Sequence, residues 1–181
     1  KHLQEEMLRW GYPKDEYGDN GNWSHQAYIR ETRRMIGPYV MTQHNCQGKE
    51  TVNDGVGMAA YTMDSHNIQR LVVNGMVKNE GDVQIGGFPP YPISYGSIIP
   101  TATDCKNLFV PVCLSATHIA YGSIRMEPVF MVLAQSSATA AVQAIDRKIS
   151  VQQVDVPALQ KSLKENPLAD GSTREILIDN E

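Results

Sequence analysis

A chain of 181 residues with 41% hydrophobic and 20% charged residues can bury one sizeable core or build two unequal lobes. A net charge of −4 and the lack of any long basic run argue against nucleic acid or an anionic membrane as a partner. Three cysteines, Cys46, Cys105 and Cys113, without C-x-x-C spacing give neither a disulfide framework nor a structural zinc site, although one bridge stays open.

In chain order, Lys1 to Trp10 has the spacing of a short amphipathic helix, with Leu3, Met7, Leu8 and Trp10 as apolar contacts. Gly11 to His25 reads as a long loop in which Tyr12, Tyr17, Trp23 and His25 are unusual for a spacer. Its carboxylates Asp15, Glu16 and Asp19 lack a calcium-loop pattern and read as solvated charges. Ala27 to Met35 is expected to form a second helix carrying Arg30, Arg33 and Arg34, stopped by Gly37-Pro38.

Tyr39 to Thr42, Gly57 to Met63 and Leu71 to Val73 have strand composition, and Asn74-Gly75 supplies a hairpin turn into Met76-Val77. His44 and Cys46 lie two residues apart, yet no further ligands gather near them, so the pair reads as structural. From Gly81 to Pro100 the prolines at 89, 90 and 92 call for extended or turn structure.

Asn107 to Cys113 reads as a buried strand, with Pro111 marking an edge or an irregular end and Cys113 as an inert buried thiol. A polar loop follows, and then a long helix from Pro128 to Arg147, apolar nearly all round and expected to be buried. Ala134, Ser137, Ala138, Ala141 and Ile145 fall on one stripe of it. Gln135, Ser136, Ser137, Thr139 and Gln143 interrupt this most apolar stretch, which argues against a bilayer span. Val151 to Glu165 gives a short strand and a helix capped by Asp155, before a polar tail from Asn166 to Glu181. The pattern is α+β, with mixed or antiparallel strands ahead of a strand, a loop and a long helix.

That last unit presents a helix N-terminus, which carries about half a positive charge and unpaired N–H donors suited to an electron-rich group. On pattern alone, a packed core helix with a satisfied N-terminus is the favoured reading.

The run Asn107 to Ile145 carries Ser115-Ala116-Thr117-His118, Gly122-Ser123-Ile124-Arg125 and Pro128. Together with Tyr91-Pro92-Ile93-Ser94-Tyr95 and Ala27 to Gly48, it resembles the C-terminal part of bacterial FAD-dependent oxidoreductases. The resemblance covers about residues 1–146. Members of that group pair an N-terminal dinucleotide-binding fold with an inserted substrate domain. It therefore implies that residues 1–100 belong to a substrate domain and 101–148 return to the FAD-binding domain. Residues 149–181 would be a terminal strand, helix and tail.

By resemblance, Ser115, Thr117, Gly122, Ser123, Arg125, Met126, Pro128 and Val129 face the pyrimidine edge of the flavin. Arg125 would be its charge partner and His118 the proton-transfer group, with Tyr91, Tyr95 and Tyr121 toward the substrate. A loop histidine held by hydrogen bonds, a surface arginine in an ion pair and tyrosines that merely pack are the competing readings.

The chain departs from the pattern in two places. The phosphate-binding G-x-G-x-x-G is absent, Gly55-Val56-Gly57 having no third glycine, and Gly96 stands where relatives often carry arginine. The start at Lys1, without an initiator methionine or signal-peptide pattern, suggests part of a longer precursor, soluble and with secretion or the periplasm open. Expected partners are a small-molecule substrate, carbohydrate-related if the aromatic loop contributes, and a missing N-terminal half or second subunit. The alternative is a non-catalytic assembly module or fragment that retains the fold without cofactor.

Overall fold

The computed structural model describes residues 2–9, 11–25 and 33–167. The chain divides into two compact units, Lys1–Thr32 and Arg33–Glu181.

In the first unit, α1 (His2–Met7) is the expected short helix. The aromatic loop is held locally by a 3-10 turn at Gly18–Asn20 and by Asn22 Nδ2 donating to Glu16 O at 2.9 Å. Tyr12 packs on Trp23 with ring centroids 4.9 Å apart, and His25 pairs with the Asp19 carboxylate at 3.1 Å. Most of the helix expected over 27–35 lies outside the described residues. Its last part, 33–35, belongs to the second unit and is not helical: Met35 N donates to Cys113 O at 2.9 Å.

The second unit contains three two-stranded antiparallel pairs and four helices among the described residues. The central pair joins β1 (Gly55–Ala59) to β6 (Tyr91–Ser94), with an irregular register between Gly55 and Gly57. β2 (Met63–Ser65) pairs with β5 (Val83–Ile85), and β3 (Gln69–Val73) with β4 (Met76–Glu80). Asn74 (φ 52°) and Gly75 (φ 77°) are both left-handed, which matches the strand twist and closes the β3–β4 hairpin as the sequence predicts. The stretch predicted as one strand from Gly57 to Met63 breaks into β1 and β2. The predicted Tyr39 to Thr42 strand shrinks to a single bridge between Met41 and Ala116, followed by the short α2 (Gln43–Cys46).

Two expectations fail around the long helix. Residues 107–113 are not a strand and are not buried; Leu108 and Val112 are exposed and Cys113 is half-buried. Pro111 has no N–H to give a ladder, and the segment is tied instead by single bonds, such as Val110 N to Ile98 O at 2.8 Å. The polar loop that follows is largely helical: α3 (His118–Ile124) starts on Thr117, whose Oγ1 accepts from Ala120 N at 3.4 Å.

The long helix α4 spans Glu127–Arg147. Its buried stripe is Val129, Leu133, Ser136, Ser137, Ala140 and Ala144, rotated from the expected one. Ala134, Ala138 and Ile145 are exposed, Ala141 is half-buried, and only Ser137 of the predicted stripe is buried. By length and hydropathy alone α4 could cross a membrane, but its buried stripe packs on β1 and on α5 (Val156–Glu165). Asp155 caps α5 as predicted, accepting from Ala158 N at 3.1 Å, while Val151–Gln153 is a 3-10 turn rather than a strand.

The core gathers Met41, Met63, Tyr91, Ile93, Ile98, Leu114, Ile124, Leu133 and Leu159 between β1–β6 and the helices. Helices and small antiparallel sheets make the fold α+β.

Candidate functional site at the joint of α3 and α4

Residues 110–117 run as an irregular thread between two neighbours. Ser115 N donates to Ser97 O (2.8 Å), Met41 N to Ser115 O (3.0 Å) and Thr117 N to Met41 O (2.9 Å). This thread fixes where α3 begins. At the other end of α3 the chain turns sharply, with Met126 N donating to Ile124 O at 2.7 Å, and α4 begins at once. Met126 occupies the cap position of α4 and offers no side-chain hydrogen bond, and Pro128 fills the first turn. Met126 therefore gives the first-turn donors of this 21-residue helix no side-chain bond, and the helix dipole leaves a partial positive charge there.

The sequence-predicted site residues fall into two sets around this joint. Thr117, His118 and Pro128 are exposed and Met126 is half-buried. Ser115, Gly122, Ser123, Arg125 and Val129 are buried. Among the described residues Ser115 Oγ has no hydrogen-bond partner, an orphaned buried hydroxyl at the foot of α3. Ser123 Oγ donates to Tyr61 O and accepts from Tyr91 Oη at 2.7 Å. Gly122 lies against β2 so closely that a β-carbon there would sit 2.4 Å from Asp64 O. Only glycine permits that approach.

Arg125 is 1% exposed, and its Nη2 donates to Asp64 O at 3.0 Å with the Asp64 carboxylate 3.9 Å away. A guanidinium this buried needs such partners, because an uncompensated charge would cost several kcal/mol. Asp64 and Tyr61 were not visible as partners in the sequence, being about 60 residues distant with no local pattern. Arg34, expected on a helical patch, instead donates from Nε to Ala116 O (2.9 Å) with its guanidinium 5.2 Å from the Tyr121 ring centre.

The three tyrosines expected toward a substrate pack inward and satisfy their hydroxyls. Tyr95 Oη donates to Val151 O at 2.6 Å and Tyr121 Oη to Val112 O at 3.0 Å. Burial pushes the Tyr91 and Tyr95 hydroxyls well above the ordinary tyrosine range; the bond to Ser123 opposes this only partly at Tyr91. Burial likewise raises the Cys46 thiol, which shares a buried polar cluster with Tyr91 and Ser123 behind α3. His44 is exposed while Asn45 is spent capping α2 at Thr42 N (2.8 Å), so His44 and Cys46 do not converge.

A family model described as FAD dependent oxidoreductase matches residues 1–163. The chain belongs to that family. No curated protein and no solved structure matches it.

For an FAD-dependent oxidoreductase, the joint fits one part of the cofactor. The start of α4, where Met126 gives no side-chain cap, suits an edge that becomes anionic on reduction, and Arg125 adds buried positive charge one residue before the helix cap. The phosphates find no match among the described residues. Gly55 and Gly57 lie inside β1, opposite Ser94 and Ile93, rather than in a loop that opens a helix.

Proposed function

We propose that this chain supplies the pyrimidine-edge half of the flavin site of an FAD-dependent oxidoreductase, together with part of the substrate site. A separate N-terminal half, on the same polypeptide or another subunit, would hold the pyrophosphate. The observation that carries this reading is the N-terminus of α4, where Met126 gives no side-chain cap, directly after the buried Arg125 in a chain of this family. When bound, the flavin supplies the hydride or electron transfer itself.

The chain's own residues would act around it. The first-turn backbone N–H groups of α4 would donate to the edge, with Met126, Pro128 and Val129 packing against the ring. His118, exposed at the start of α3, would be the proton-transfer group, with the exposed Thr117 beside it toward the flavin edge. Ser115, Gly122, Ser123 and Arg125 would support the edge from behind. A carbohydrate-related substrate is the class we favour, because in the first unit Tyr12 and Trp23 are paired and 61% and 60% exposed.

A non-catalytic module is the second reading. It draws support from Ser123 and Arg125, which spend their polar groups on protein. Riboflavin, which carries the ring without the phosphates, separates the two. Quenching of its fluorescence on titration with the chain is expected, weakened about tenfold in Arg125→Gln, which corresponds to about 1.4 kcal/mol. A chain that leaves riboflavin emission unchanged up to the solubility limit sinks the flavin reading and leaves the module.

A further inference from the structure

We infer that a cavity at the C-terminal end of α4 binds a small organic acid, with its apolar body inside and its carboxylate between Lys106 and Lys148. The cavity holds about 410 Å³, inside the range of about 300–1,000 Å³ usual for small-molecule sites. Ala141 and Ala144 of α4 leave the room, and Phe109 and Ile149 extend the apolar lining. Hydrogen bonds tie together the chain segments around it. Val151 N donates to Lys106 O and Ile149 N to Ala144 O, each at 3.0 Å, while Gln152 Nε2 donates to Pro100 O and Cys105 O at 2.9 and 2.8 Å. Phe109 is braced by Tyr95, the two ring centroids lying 6.1 Å apart.

Charge selects the ligand. Lys106 and Lys148 line the cavity from different segments, both are exposed, and neither pairs with a carboxylate among the described residues. The described residues that line the cavity include no acidic side chain. The partial negative charge of the helix end is met locally, since Lys148 N donates to Ile145 O at 3.1 Å and Ile149 N to Ala144 O. Lys148 also holds a left-handed conformation, φ 56°, that helix ends usually give to glycine. Glycine there would relieve the backbone and remove one cation from the mouth. An anionic head on an apolar body matches both the lining and the two lysines; a neutral apolar molecule matches only the lining. Along α4, about 22 Å separate Met126 from Ala141 at 1.5 Å per residue. The site therefore stands apart from the joint of α3 and α4 and does not depend on the flavin reading.

Two fluorescent probes test this on the intact chain: the organic anion anilinonaphthalene sulfonate and its uncharged relative N-phenylnaphthylamine. The anion should bind about tenfold more tightly than the neutral probe, and naphthoate should displace it. Rising salt should weaken the anion and leave the neutral probe unchanged. Lys106→Gln and Lys148→Gly should each weaken the anion about threefold, and together about tenfold, with the neutral probe unmoved. Lys148→Gly should do so without lowering the thermal unfolding midpoint, which separates a lysine that faces a ligand from one that only ends the helix. Ala141→Phe, which fills the cavity, should abolish binding of both probes. Equal binding of the two probes, or an anion affinity unchanged in the double lysine variant, overturns the inference. So does undiminished binding in Ala141→Phe, because the probe then sits elsewhere on the chain. Should Ala141→Phe fail to fold, the lysine variants and the salt dependence decide.

Discussion

β1–β6 and β3–β4 are antiparallel pairs of similar length and comparable apolar content, and they end in opposite situations. In β1–β6, Val56, Ala59, Tyr91, Ile93 and Ser94 are buried; α4 lies on β1, with Ser136 Oγ donating to Val56 O at 2.5 Å. In β3–β4 every residue is exposed, Val72 and Val77 at 75% and 73%, and nothing among the described residues covers either face. Burial was thus decided by what each pair meets, not by its own alternation. The first pair draws on apolar area at roughly 25 cal/mol per Å². The second has only its turn and cross-strand contacts such as Val72–Val77, each worth about 0.2–1 kcal/mol. An isolated hairpin is marginal on those terms.

The sharpest way to separate the covered interior from the bare arm is a glycine packed inside, in α3 against β2, and one in the arm. At Gly122 a new β-carbon would meet Asp64 O at 2.4 Å and Asp64 C at 3.2 Å, both backbone atoms that cannot rotate aside. Gly122→Val should therefore cost about 3 kcal/mol or more by displacing β2 from α3. Gly75, in the arm, has open space around it and a φ of 77°, so Gly75→Ala carries only left-handed strain of about 1–2 kcal/mol. Thermal unfolding should rank the two in that order. If Gly75→Ala is the worse, the covered region is not where the stability lies.

The parts of this fold that were legible in the sequence are those set by local chemistry. Asn74-Gly75 fixes a turn through its φ angles, Asp155 caps a helix within three residues, and Pro128 starts α4 where its missing N–H costs nothing. What was not legible depends on partners distant in sequence. The buried stripe of α4 is chosen by β1 and α5, and an apolar helix with small residues all round carries no mark of which side they take. Residues 107–113 have strand composition but too few neighbours to donate to, and Pro111 removes one donor. In the candidate site, the start of α4 was readable from Pro128, whereas α3 before it was read as a polar loop. The roles of Ser123 and Arg125 were not, because Tyr61, Asp64 and Tyr91 reach them only through the fold.

A smaller effect tests whether the covered pair excludes water as its burial implies. Tyr91 and Tyr95 have folded-state pKa values raised by burial, above an unfolded value of about 10. Their neutral forms stabilise the fold fully below that pH. Above it the unfolded chain loses protons first, so stability falls as pH rises toward the folded values. Each tyrosine contributes a slope of up to about 1.4 kcal/mol per pH unit. Tyr91→Phe removes one share of that slope in urea unfolding between neutral and alkaline pH. At neutral pH it should cost only about 1 kcal/mol, since Ser123 keeps its bond to Tyr61 O. An unchanged alkaline slope means Tyr91 ionises as readily folded as unfolded, and the interior of β1–β6 is wet.

The smallest expected effect sharpens the comparison most, because it asks whether the β3–β4 arm is bare in solution. Valine and threonine have nearly the same shape, so exchanging them tests solvation with little change in packing. Val77→Thr puts a hydroxyl on a residue 73% exposed, where water satisfies it, and should change stability by less than about 0.5 kcal/mol. Val56→Thr makes the same exchange at 4% exposure. Its hydroxyl must find a partner or cost about 1–3 kcal/mol, and the Val56 carbonyl already accepts from Ser136. A Val77→Thr loss as large as that of Val56→Thr would mean the arm is covered in solution. The contrast between the two pairs would then reflect a missing partner surface rather than a free arm.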